Sequence, residues 1–364
     1  MSVDLIPAAA TARSSLNSLL ADRDNDYRAH RELWQARHGT SWTSPVAPTA
    51  HVAPISVVIP MRNRAFAITA VLDALTASEG VAAELIVVDD ASGDGSAFRA
   101  AAHPSRPTVV RLEKPCGSSV ARNVGTALAS TGTIVYLDGD MVLPQGVLSE
   151  LACRAADDLV LLGFRQHVPF PAFQAGPLAP VTADLEQDPR VRSIVPAGVL
   201  PFSGAVVDRP ARCDLLNDTD DLLKLGNGRW VFDWSLPRTI ITAMVAMPRE
   251  AIIETGGFHP GFHGLWGAED AYVGAKLIAA GCRVAPVRTA VGWHIDPPGT
   301  QKENHRKQAS LRRTVAFYKS LLAQPMPVGA RQWFFEHTSK VLRDAVAITG
   351  RRGVLPTIIT TSPN

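Results

Sequence analysis

Two carboxylates separated by one glycine, Asp138 and Asp140, follow a short apolar stretch of the chain. The preceding residues 133–137 are apolar and rich in β-branched side chains, which predicts a buried strand. Carboxylates at the carboxyl end of a sheet strand can hold a divalent metal ion and, through it, a diphosphate. Gly139 would let such a ligand approach the backbone closely. An ordinary acidic turn has the same composition, so the tripeptide alone leaves both interpretations open.

A second pair of acids, Glu269 and Asp270, directly precedes helical spacing at Val273 and Leu277. We therefore expect the pair in the first turn of a helix, where the helix dipole favours ionised carboxylates. One of these acids could take the proton from an acceptor hydroxyl during group transfer. Simple capping of the helix terminus is the alternative explanation.

His294 lies in the motif Gly-Trp-His-Ile-Asp and is a candidate third metal ligand. A neutral imidazole added to Asp140 suits Mn²⁺. Asp296 could position this histidine without itself binding the metal. The alternative is a histidine whose hydrogen bonds are satisfied in the protein interior.

The elements that must position these residues follow a regular order in the first half of the chain. Apolar runs predict strands at 55–59, 85–88, 109–112 and 133–137, with helical spacing after the first strand and again from about residue 118. This order is typical of a parallel sheet covered by helices on both faces. Ligands of such sheets bind beyond the carboxyl ends of the strands.

The same sheet edge would carry further polar residues, Arg62, Asp89 and Asp90, together with Pro60. Arg122 and Asn123 lie near the start of the helix predicted from about residue 118. Capping of the following turn explains Asp89 and Asp90 as well. For Arg122, a salt bridge at the start of the helix is the alternative.

Composition limits the class of protein. Of the 364 residues, 46% are hydrophobic and 19% are charged, which indicates a packed globular chain. A net charge of +2 without a basic stripe gives no sign of a nucleic-acid partner. The four cysteines are isolated, no apolar run could span a bilayer, and no signal peptide is apparent. We expect a cytoplasmic protein without a membrane span.

We expect three regions along the chain. Residues 1–52 would form a helical extension, continuous over 11–37, followed by a surface linker. Residues 53–300 would form one α/β domain, with a nucleotide-binding half (53–163) and an acceptor half (164–300). Residues 301–364 would form a helical tail with a second amphipathic stretch at 332–348. Alternating aromatics at 230, 232 and 234 indicate either core packing or a wall for stacking a sugar.

Four short blocks of the first half, in this order, resemble family 2 glycosyltransferases with the GT-A fold. They are Val57-Val58-Ile59-Pro60, Val87-Val88-Asp89-Asp90-Ala91-Ser92, Ser119-Val120-Ala121-Arg122-Asn123-Val124-Gly125 and Tyr136-Leu137-Asp138-Gly139-Asp140. The resemblance implies a sugar-nucleotide donor. By it, Asp89 or Asp90 contacts the base or ribose, as does the loop after Pro60. Arg122 or Asn123 lies near the nucleotide, and Asp138 and Asp140 hold ribose and metal.

Residues 239–295 resemble the segment shared by β-1,4-galactosyltransferases and polypeptide N-acetylgalactosaminyltransferases. The matching residues are Gly256-Gly257-Phe258 and Trp266-Gly267-Ala268-Glu269-Asp270. By resemblance, Asp270 is the catalytic base and Glu269 orients the acceptor or supports that base. Trp266 and Gly267 border the acceptor or a sugar, and His294 stands where related enzymes place a metal-binding histidine.

Together these patterns predict a metal-dependent, inverting glycosyltransferase that uses Mn²⁺ or Mg²⁺ and a nucleotide-sugar donor, most simply a UDP-sugar. Its acceptor hydroxyl could belong to a small molecule, a glycan or a peptide. Two alternatives are a sugar-1-phosphate nucleotidyltransferase and a non-catalytic sugar-nucleotide-binding module. The first would carry a glycine-rich basic loop after the first strand, and residues 60–64 contain no glycine. Neither GxGxxG after that strand nor a P-loop motif is present.

Overall fold

The computed structural model describes residues 14–46, 52–181, 190, 193–195, 198–199, 206–207, 211–213, 230–231 and 234–349. The first part of the chain alternates strands and helices. Its elements are α1 (Leu16–Ala21), α2 (Arg28–His38), β1 (Ile55–Met61), α3 (Ile68–Thr76), β2 (Ala83–Asp89), α4 (Ser96–Ala101), β3 (Thr108–Arg111), α5 (Ser118–Leu128), β4 (Thr133–Leu137), β5 (Met141–Val142), α6 (Val147–Arg154), β6 (Leu159–Val168) and α7 (Phe170–Ala175).

The second part begins with short strand pairs and ends in helices. Its elements are β7 (Ser193–Val195), β8 (Gly198–Val199), β9 (Val206–Val207), β10 (Ala211–Cys213), β11 (Trp230–Val231), β12 (Trp234–Ser235), β13 (Met244–Pro248), α8 (Arg249–Glu254), α9 (Glu269–Ala279), β14 (Arg283–Ile295), α10 (Thr300–Leu322), α11 (Ala330–Asp344) and β15 (Val346–Thr349). Two 3₁₀ turns, Leu236–Thr239 and Pro260–Phe262, precede β13 and α9.

In the described chain, one nine-stranded sheet has the order β15-β3-β2-β1-β4-β13-β6-β14-β5. Strands β3, β2, β1 and β4 are parallel neighbours, and β6 is parallel to β14. Strand β13 runs antiparallel between β4 and β6. The predicted α/β fold, with a parallel nucleotide-binding half within a mixed sheet flanked by helices, is confirmed.

Strand β4 lies near the middle of this sheet because both of its faces are apolar. Tyr136 packs into the core on one face and Val135 into the core on the other. Buried on both sides, the strand reads as a continuous hydrophobic run, as expected for a parallel strand covered by helices. Its carboxyl end therefore delivers Asp138 at the centre of the sheet edge.

The N-terminal region differs from expectation in two ways. The predicted continuous helix is interrupted between α1 and α2, where Asn25 donates to the carbonyl of Val284 at 2.8 Å and accepts from its N–H at 2.7 Å. The predicted surface linker is wrong at Trp42, which is buried and donates to the carbonyl of Pro286 at 2.8 Å. Both contacts reach β14, which no local sequence pattern could show.

The C-terminal region is largely helical as expected, but residues 346–349 form β15 instead of continuing the amphipathic helix. This strand pairs antiparallel with β3 at the sheet edge, where it covers otherwise unpaired backbone groups. None of the helices in the described ranges is both long and apolar enough to cross a bilayer.

One sequence expectation falls partly outside the described residues: Phe232 of the aromatic alternation.

Candidate functional site

The Asp-Gly-Asp turn joins β4 to the short strand β5. The N–H of Asp138 donates to the carbonyl of Ala243 at 3.0 Å, and the N–H of Met141 donates to the carbonyl of Asp138 at 3.0 Å. A Cβ atom on Gly139 would lie 2.9 Å from Cβ of Met61, a distance that packed side chains do not tolerate. The turn therefore requires glycine because β1 passes directly against it.

Asp138, Asp140 and His294 form a group whose ligand atoms all lie within 4.8 Å of one another. Backbone pairing brings them together. His294 of β14 is the antiparallel partner of Met141 in β5, and the N–H of Ile295 donates to the carbonyl of Asp140 at 2.9 Å. Residues separated by more than 150 positions in the chain thus meet through one pair of strands.

Asp140 is the buried member of this group, with 2% of its surface exposed. Its Oδ2 lies 2.7 Å from Nε of Arg64, and its Oδ1 lies 3.2 Å from Nε2 of His294. Burial works against ionisation, but the nearby imidazole and guanidinium hold the pKa of Asp140 below its ordinary value. The carboxylate is therefore charged at neutral pH.

This group fits a divalent cation. Oδ1 of Asp140 is buried and has no hydrogen-bond partner of good geometry among the described residues. Unsatisfied buried polar atoms are costly, and a cation near them would supply the missing interaction. Two carboxylates and one imidazole form a donor set of the kind that Mn²⁺ accepts.

Arg122 of α5 connects this group to the second pair of acids. Its guanidinium is buried; Nη2 lies 3.2 Å from Oδ1 of Asp138, and Nη1 lies 3.4 Å from Oε1 of Glu269. Ser118 also donates to Oε1 of Glu269 at 3.3 Å. Oε2 of the same glutamate is buried and unpaired within the described structure. The guanidinium of Arg122 therefore contacts one carboxylate from each of the two pairs.

Glu269 and Asp270 begin α9, as expected, after two consecutive left-handed residues, Gly267 and Ala268. The helix dipole favours the ionised form of Asp270, but two other influences act in the opposite direction. Burial and then the charge of Glu269 raise the pKa of Asp270 to about 6, although Arg122 opposes the shift. A carboxyl group with this pKa is well matched to proton transfer near neutral pH.

The remaining predicted donor residues differ in how they are placed. Asp89 accepts from Arg111 at 3.0 Å and is fully buried. Asp90 accepts from the N–H groups of Cys116 at 2.6 Å and Gly117 at 3.0 Å. Asp89 also accepts from the N–H of Ser92 at 3.1 Å, which matches the capping alternative for this residue, whereas Asp90 holds the loop before α5. A contact of either acid with the base or ribose remains a prediction.

Asn123 points away from the donor edge. Its amide donates to the carbonyl of Phe258 at 2.8 Å and accepts from the N–H of the same residue at 2.7 Å. Arg122 lies over the ring of Phe258, 5.4 Å from its centroid. These contacts use both polar atoms of Asn123, so the expected role near the nucleotide has no support here. They join α5 to the segment before α9 instead.

Three other predicted residues lie in different settings. Pro60 is buried in β1 opposite Val88, whereas Arg62 is exposed in the loop that follows. Trp266 is 45% exposed and precedes Asp270 by four positions in the chain. The segment before α9 therefore presents an exposed aromatic side chain.

Sequence reasoning did not assign roles to Arg64 or His167. His167 lies on β6 directly beside His294 of β14, and its Nδ1 is 3.2 Å from Oδ1 of Asp296. Asp296 therefore pairs with His167; a ligand atom of Asp296 also lies within 4.8 Å of one of His294, so its role in positioning His294 stays a prediction. The signal for Arg64 was its position three residues after a strand; for His167 no local signal existed, because the register of two distant strands determines it.

Comparisons with known proteins agree with this geometry. Residues 56–177 match the model "Glycosyl transferase family 2", and residues 231–295 match "N-terminal domain of galactosyltransferase". The first match ends beyond the Asp-Gly-Asp turn, and the second contains both α9 and β14. Each matched segment thus supplies part of the site described above.

Two curated relatives and one solved structure are similar to the chain. A validoxylamine A glucosyltransferase of Streptomyces hygroscopicus subsp. jinggangensis (strain 5008) is 29% identical over 264 residues, 69% of this chain and 57% of that protein. The succinoglycan biosynthesis protein ExoO of Rhizobium meliloti (strain 1021) is 34% identical over 105 residues, 29% of this chain and 30% of that protein. The structure of GalNAc-T7 with UDP, GalNAc and Mn²⁺ covers 92% of this chain and 64% of that chain, at 14% identity and a TM-score of 0.50.

The chain spans a little over half the length of the glucosyltransferase that it matches. At 14% identity the solved structure supports the fold only. The two family models, in the predicted order and at the predicted segments, confirm the resemblance inferred from the short motifs. The chain is therefore similar to glycosyl transferase family 2 over residues 56–177 and to the galactosyltransferase type over residues 231–295.

Proposed function

We propose that this protein transfers a sugar from a nucleotide-sugar donor, in the first place a UDP-sugar, to an acceptor hydroxyl with inversion at the anomeric carbon. The observation that carries the proposal is the shared Arg122, which bonds Asp138 at the donor edge and Glu269 beside Asp270. An enzyme of this class needs a diphosphate site and a base within reach of the same sugar.

Asp138, Asp140 and His294 would hold the divalent cation, Mn²⁺ or Mg²⁺. Such an ion, when bound, neutralises the negative charge that develops on the departing diphosphate. The protein's own part is to fix the two carboxylates and the imidazole on adjacent strands. Preorganised in this way, the ligands would lose little conformational entropy on binding.

Asp270 would act as the general base. The acceptor oxygen forms its bond to the anomeric carbon while the bond from that carbon to the diphosphate oxygen breaks, and the acceptor's proton passes to Asp270. A single displacement of this kind inverts the anomeric configuration. Glu269 raises the basicity of Asp270 through its charge, since a neighbouring carboxylate disfavours a second negative charge.

The similar proteins support a hexose donor. One is named a glucosyltransferase, and the solved structure of similar fold contains UDP, GalNAc and Mn²⁺. The exposed Trp266, four residues before the base in the chain, offers a flat apolar surface for the face of an acceptor or sugar. Among the described cysteines, Cys116, Cys153 and Cys282 are free thiols, in keeping with action in a reducing compartment such as the cytoplasm.

The test is a panel of UDP- and GDP-sugars with Mn²⁺ and hydroxyl acceptors, with release of the nucleotide diphosphate as the readout. We expect turnover with a UDP-hexose, its loss in EDTA, and a product of inverted anomeric configuration by NMR. Asp270→Asn should lower turnover by about 100-fold or more. Asp157→Asn, a change at an exposed acid, is the matched control. Full activity of Asp270→Asn, or a retained configuration, would contradict the proposal.

A further inference from the structure

We propose that Arg64 is a built-in counter-cation of Asp140 that is exchanged for a divalent cation and a nucleotide diphosphate together. The proposal rests on the proposed function, because it concerns the same metal group. It assigns to Arg64 a positioning role: its guanidinium occupies the metal-binding carboxylate in the free protein and turns to the diphosphate when donor binds. Binding of metal and donor would thereby become mutually dependent.

The contact that suggests this exchange is short and largely enclosed. Nε of Arg64 lies 2.7 Å from Oδ2 of Asp140, whose side chain is 3% exposed. The other oxygen, Oδ1, faces His294 at 3.2 Å. Each carboxylate oxygen thus already faces a nitrogen. A cation that takes Asp140 as ligand meets the positive guanidinium at close range, and like charges at such distances in a partly buried site repel strongly.

The side chain of Arg64 can leave while its backbone stays in place. The N–H groups of Asn63, Arg64 and Ala65 donate to Ser92 at 2.8 Å, Ser96 at 2.7 Å and Asp94 at 3.0 Å. These three bonds fix the loop to the start of α4. The guanidinium, in contrast, is held by the carbonyl of Arg62 at 3.0 Å and by Asp140, and the side chain is 28% exposed.

The packing of the aliphatic part of the Arg64 side chain determines where its guanidinium can move after it leaves Asp140. Cγ of Arg64 would lie 3.3 Å from a Cβ on Gly139, so the stem packs against the Asp-Gly-Asp turn itself. A guanidinium that leaves Asp140 therefore stays at the edge where the diphosphate would lie. Its planar fork suits two phosphate oxygens at once.

Two linked consequences are expected. In the absence of nucleotide, the metal must compete with Arg64 and binds weakly. When the diphosphate is present, it accepts Arg64 and frees Asp140, so each ligand raises the affinity for the other by the same factor. The geometry thus predicts positive coupling that depends on one side chain.

The experiment compares the full chain with Arg64→Met, Arg64→Lys and Arg99→Met. Arg99 is an exposed residue of α4 and serves as a charge-matched control. Mn²⁺ binding without nucleotide is measured by electron paramagnetic resonance of the free ion, and UDP binding is measured by calorimetry with and without Mn²⁺. Thermal melting checks that each variant is folded.

We expect Arg64→Met to bind Mn²⁺ alone about fivefold to tenfold more tightly than the parent chain, because the competing charge-assisted bond is worth about that factor. In saturating Mn²⁺, it should bind UDP about tenfold more weakly, so the coupling factor collapses. Arg64→Lys should lie between the two, and Arg99→Met should match the parent chain.

Unchanged or weaker Mn²⁺ binding by a folded Arg64→Met would overturn the exchange, as would an undiminished coupling factor. Asp140→Asn separates this failure from failure of the proposed function. If the parent chain binds Mn²⁺ and Asp140→Asn does not, the metal group stands and only the role of Arg64 is refuted. If Asp140→Asn binds Mn²⁺ like the parent chain, the metal group fails and the exchange fails with it.

Discussion

Nη1 of Arg122 lies 3.4 Å from Oε1 of Glu269, although the two residues are 147 positions apart in the chain. The same guanidinium reaches Asp138 at 3.2 Å. One buried cation thus serves a carboxylate at the end of β4 and another at the start of α9. Because Glu269 in turn raises the pKa of Asp270, the charge of Arg122 influences both the donor edge and the base.

Arg122→Met should move the acidic limb of the pH–rate profile to higher pH. Arg122 lowers the pKa of Asp270, so removing its charge raises that pKa above about 6 and leaves the base protonated over a wider range. The variant should also lose about 2 kcal/mol of stability, because two partly buried carboxylates lose their partner. A pH–rate profile and urea unfolding measure the two effects.

Arg331→Gln provides the comparison for Arg122→Met. Arg331 also binds two acids, Glu250 at 2.7 Å and Glu254 at 2.6 Å, but all three side chains are well exposed. Exposed pairs contribute less than about 1 kcal/mol, so this variant should keep both the profile and nearly all the stability. If the pH–rate profile of Arg122→Met coincides with that of the parent chain, Arg122 does not influence the pKa of Asp270.

Asp270 should make transfer depend on pH with a midpoint near 6. The ionised form is the base, so the rate should rise as pH increases through the pKa of about 6 and then reach a plateau. The pH dependence of kcat/KM at saturating metal tests this. A midpoint near the ordinary aspartate value of 3.8 would mean that the site does not raise the pKa of Asp270.

The same shift predicts that Asp270→Asn stabilises the fold at neutral and alkaline pH. The folded-state pKa lies above the unfolded value of 3.8, so stability falls as pH rises between 3.8 and about 6, and the loss is complete above that. Allowing for partial exposure, Asn should recover about 1 to 2 kcal/mol at pH of about 8. At pH of about 4 the variant and the parent chain should melt alike, which thermal unfolding at both pH values would show.

Gly139→Ala should disrupt the metal group without unfolding the protein. The new Cβ would meet Met61 at 2.9 Å and push the turn, and with it Asp138 and Asp140, out of position. We expect Mn²⁺ affinity to fall by about tenfold or more, since metal sites demand ligand positions within a few tenths of an ångström. Gly132→Ala is the control, because a Cβ there has no atom within 4 Å. Equal Mn²⁺ affinity of the two variants would contradict this account of the turn.

Arg154→Met should destabilise the protein strongly while leaving the chemistry of folded molecules intact. Arg154 is buried, donates to the carbonyls of Trp42 and Ser44, pairs with Glu150, and lies 3.9 Å from the ring centroid of Trp34. Its removal leaves the buried carboxylate of Glu150 without its counter-charge and two carbonyls without this donor, at a cost of about 3 to 5 kcal/mol. Chemical unfolding measures the loss; a decrease under about 1 kcal/mol would mean that water satisfies these groups.

Local pattern predicted the elements whose signal is local. Residues 133–137 form β4 as expected, because β-branched and apolar side chains pack well in a buried strand. Glu269 and Asp270 begin α9 as expected from the spacing after them. The structure also brings Asp138, Asp140 and His294 together, as the positions of two motifs suggested.

Long-range packing determines what the sequence could not show. Arg64 is the partner of Asp140 because the loop after β1 packs against the Asp-Gly-Asp turn. His167 is the neighbour of His294 because of the register of β6 and β14. The raised pKa of Asp270 likewise depends on packing that no local pattern reveals. The helix dipole is a local effect of about 1 kcal/mol or less at an exposed terminus, and burial beside a second carboxylate outweighs it.

The hydrogen bonds from Asn25 to Val284 and from Trp42 to Pro286 limit which segments can be exchanged between related proteins. Both donors lie outside the two segments that match family models, yet both acceptors lie in β14, inside the second segment. A chimera that swaps only the matched segments with a relative would install a β14 whose backbone partners were selected for another sequence. An exchange that keeps these bonds must therefore include the N-terminal residues from Asn25 to Trp42 together with the matched segments.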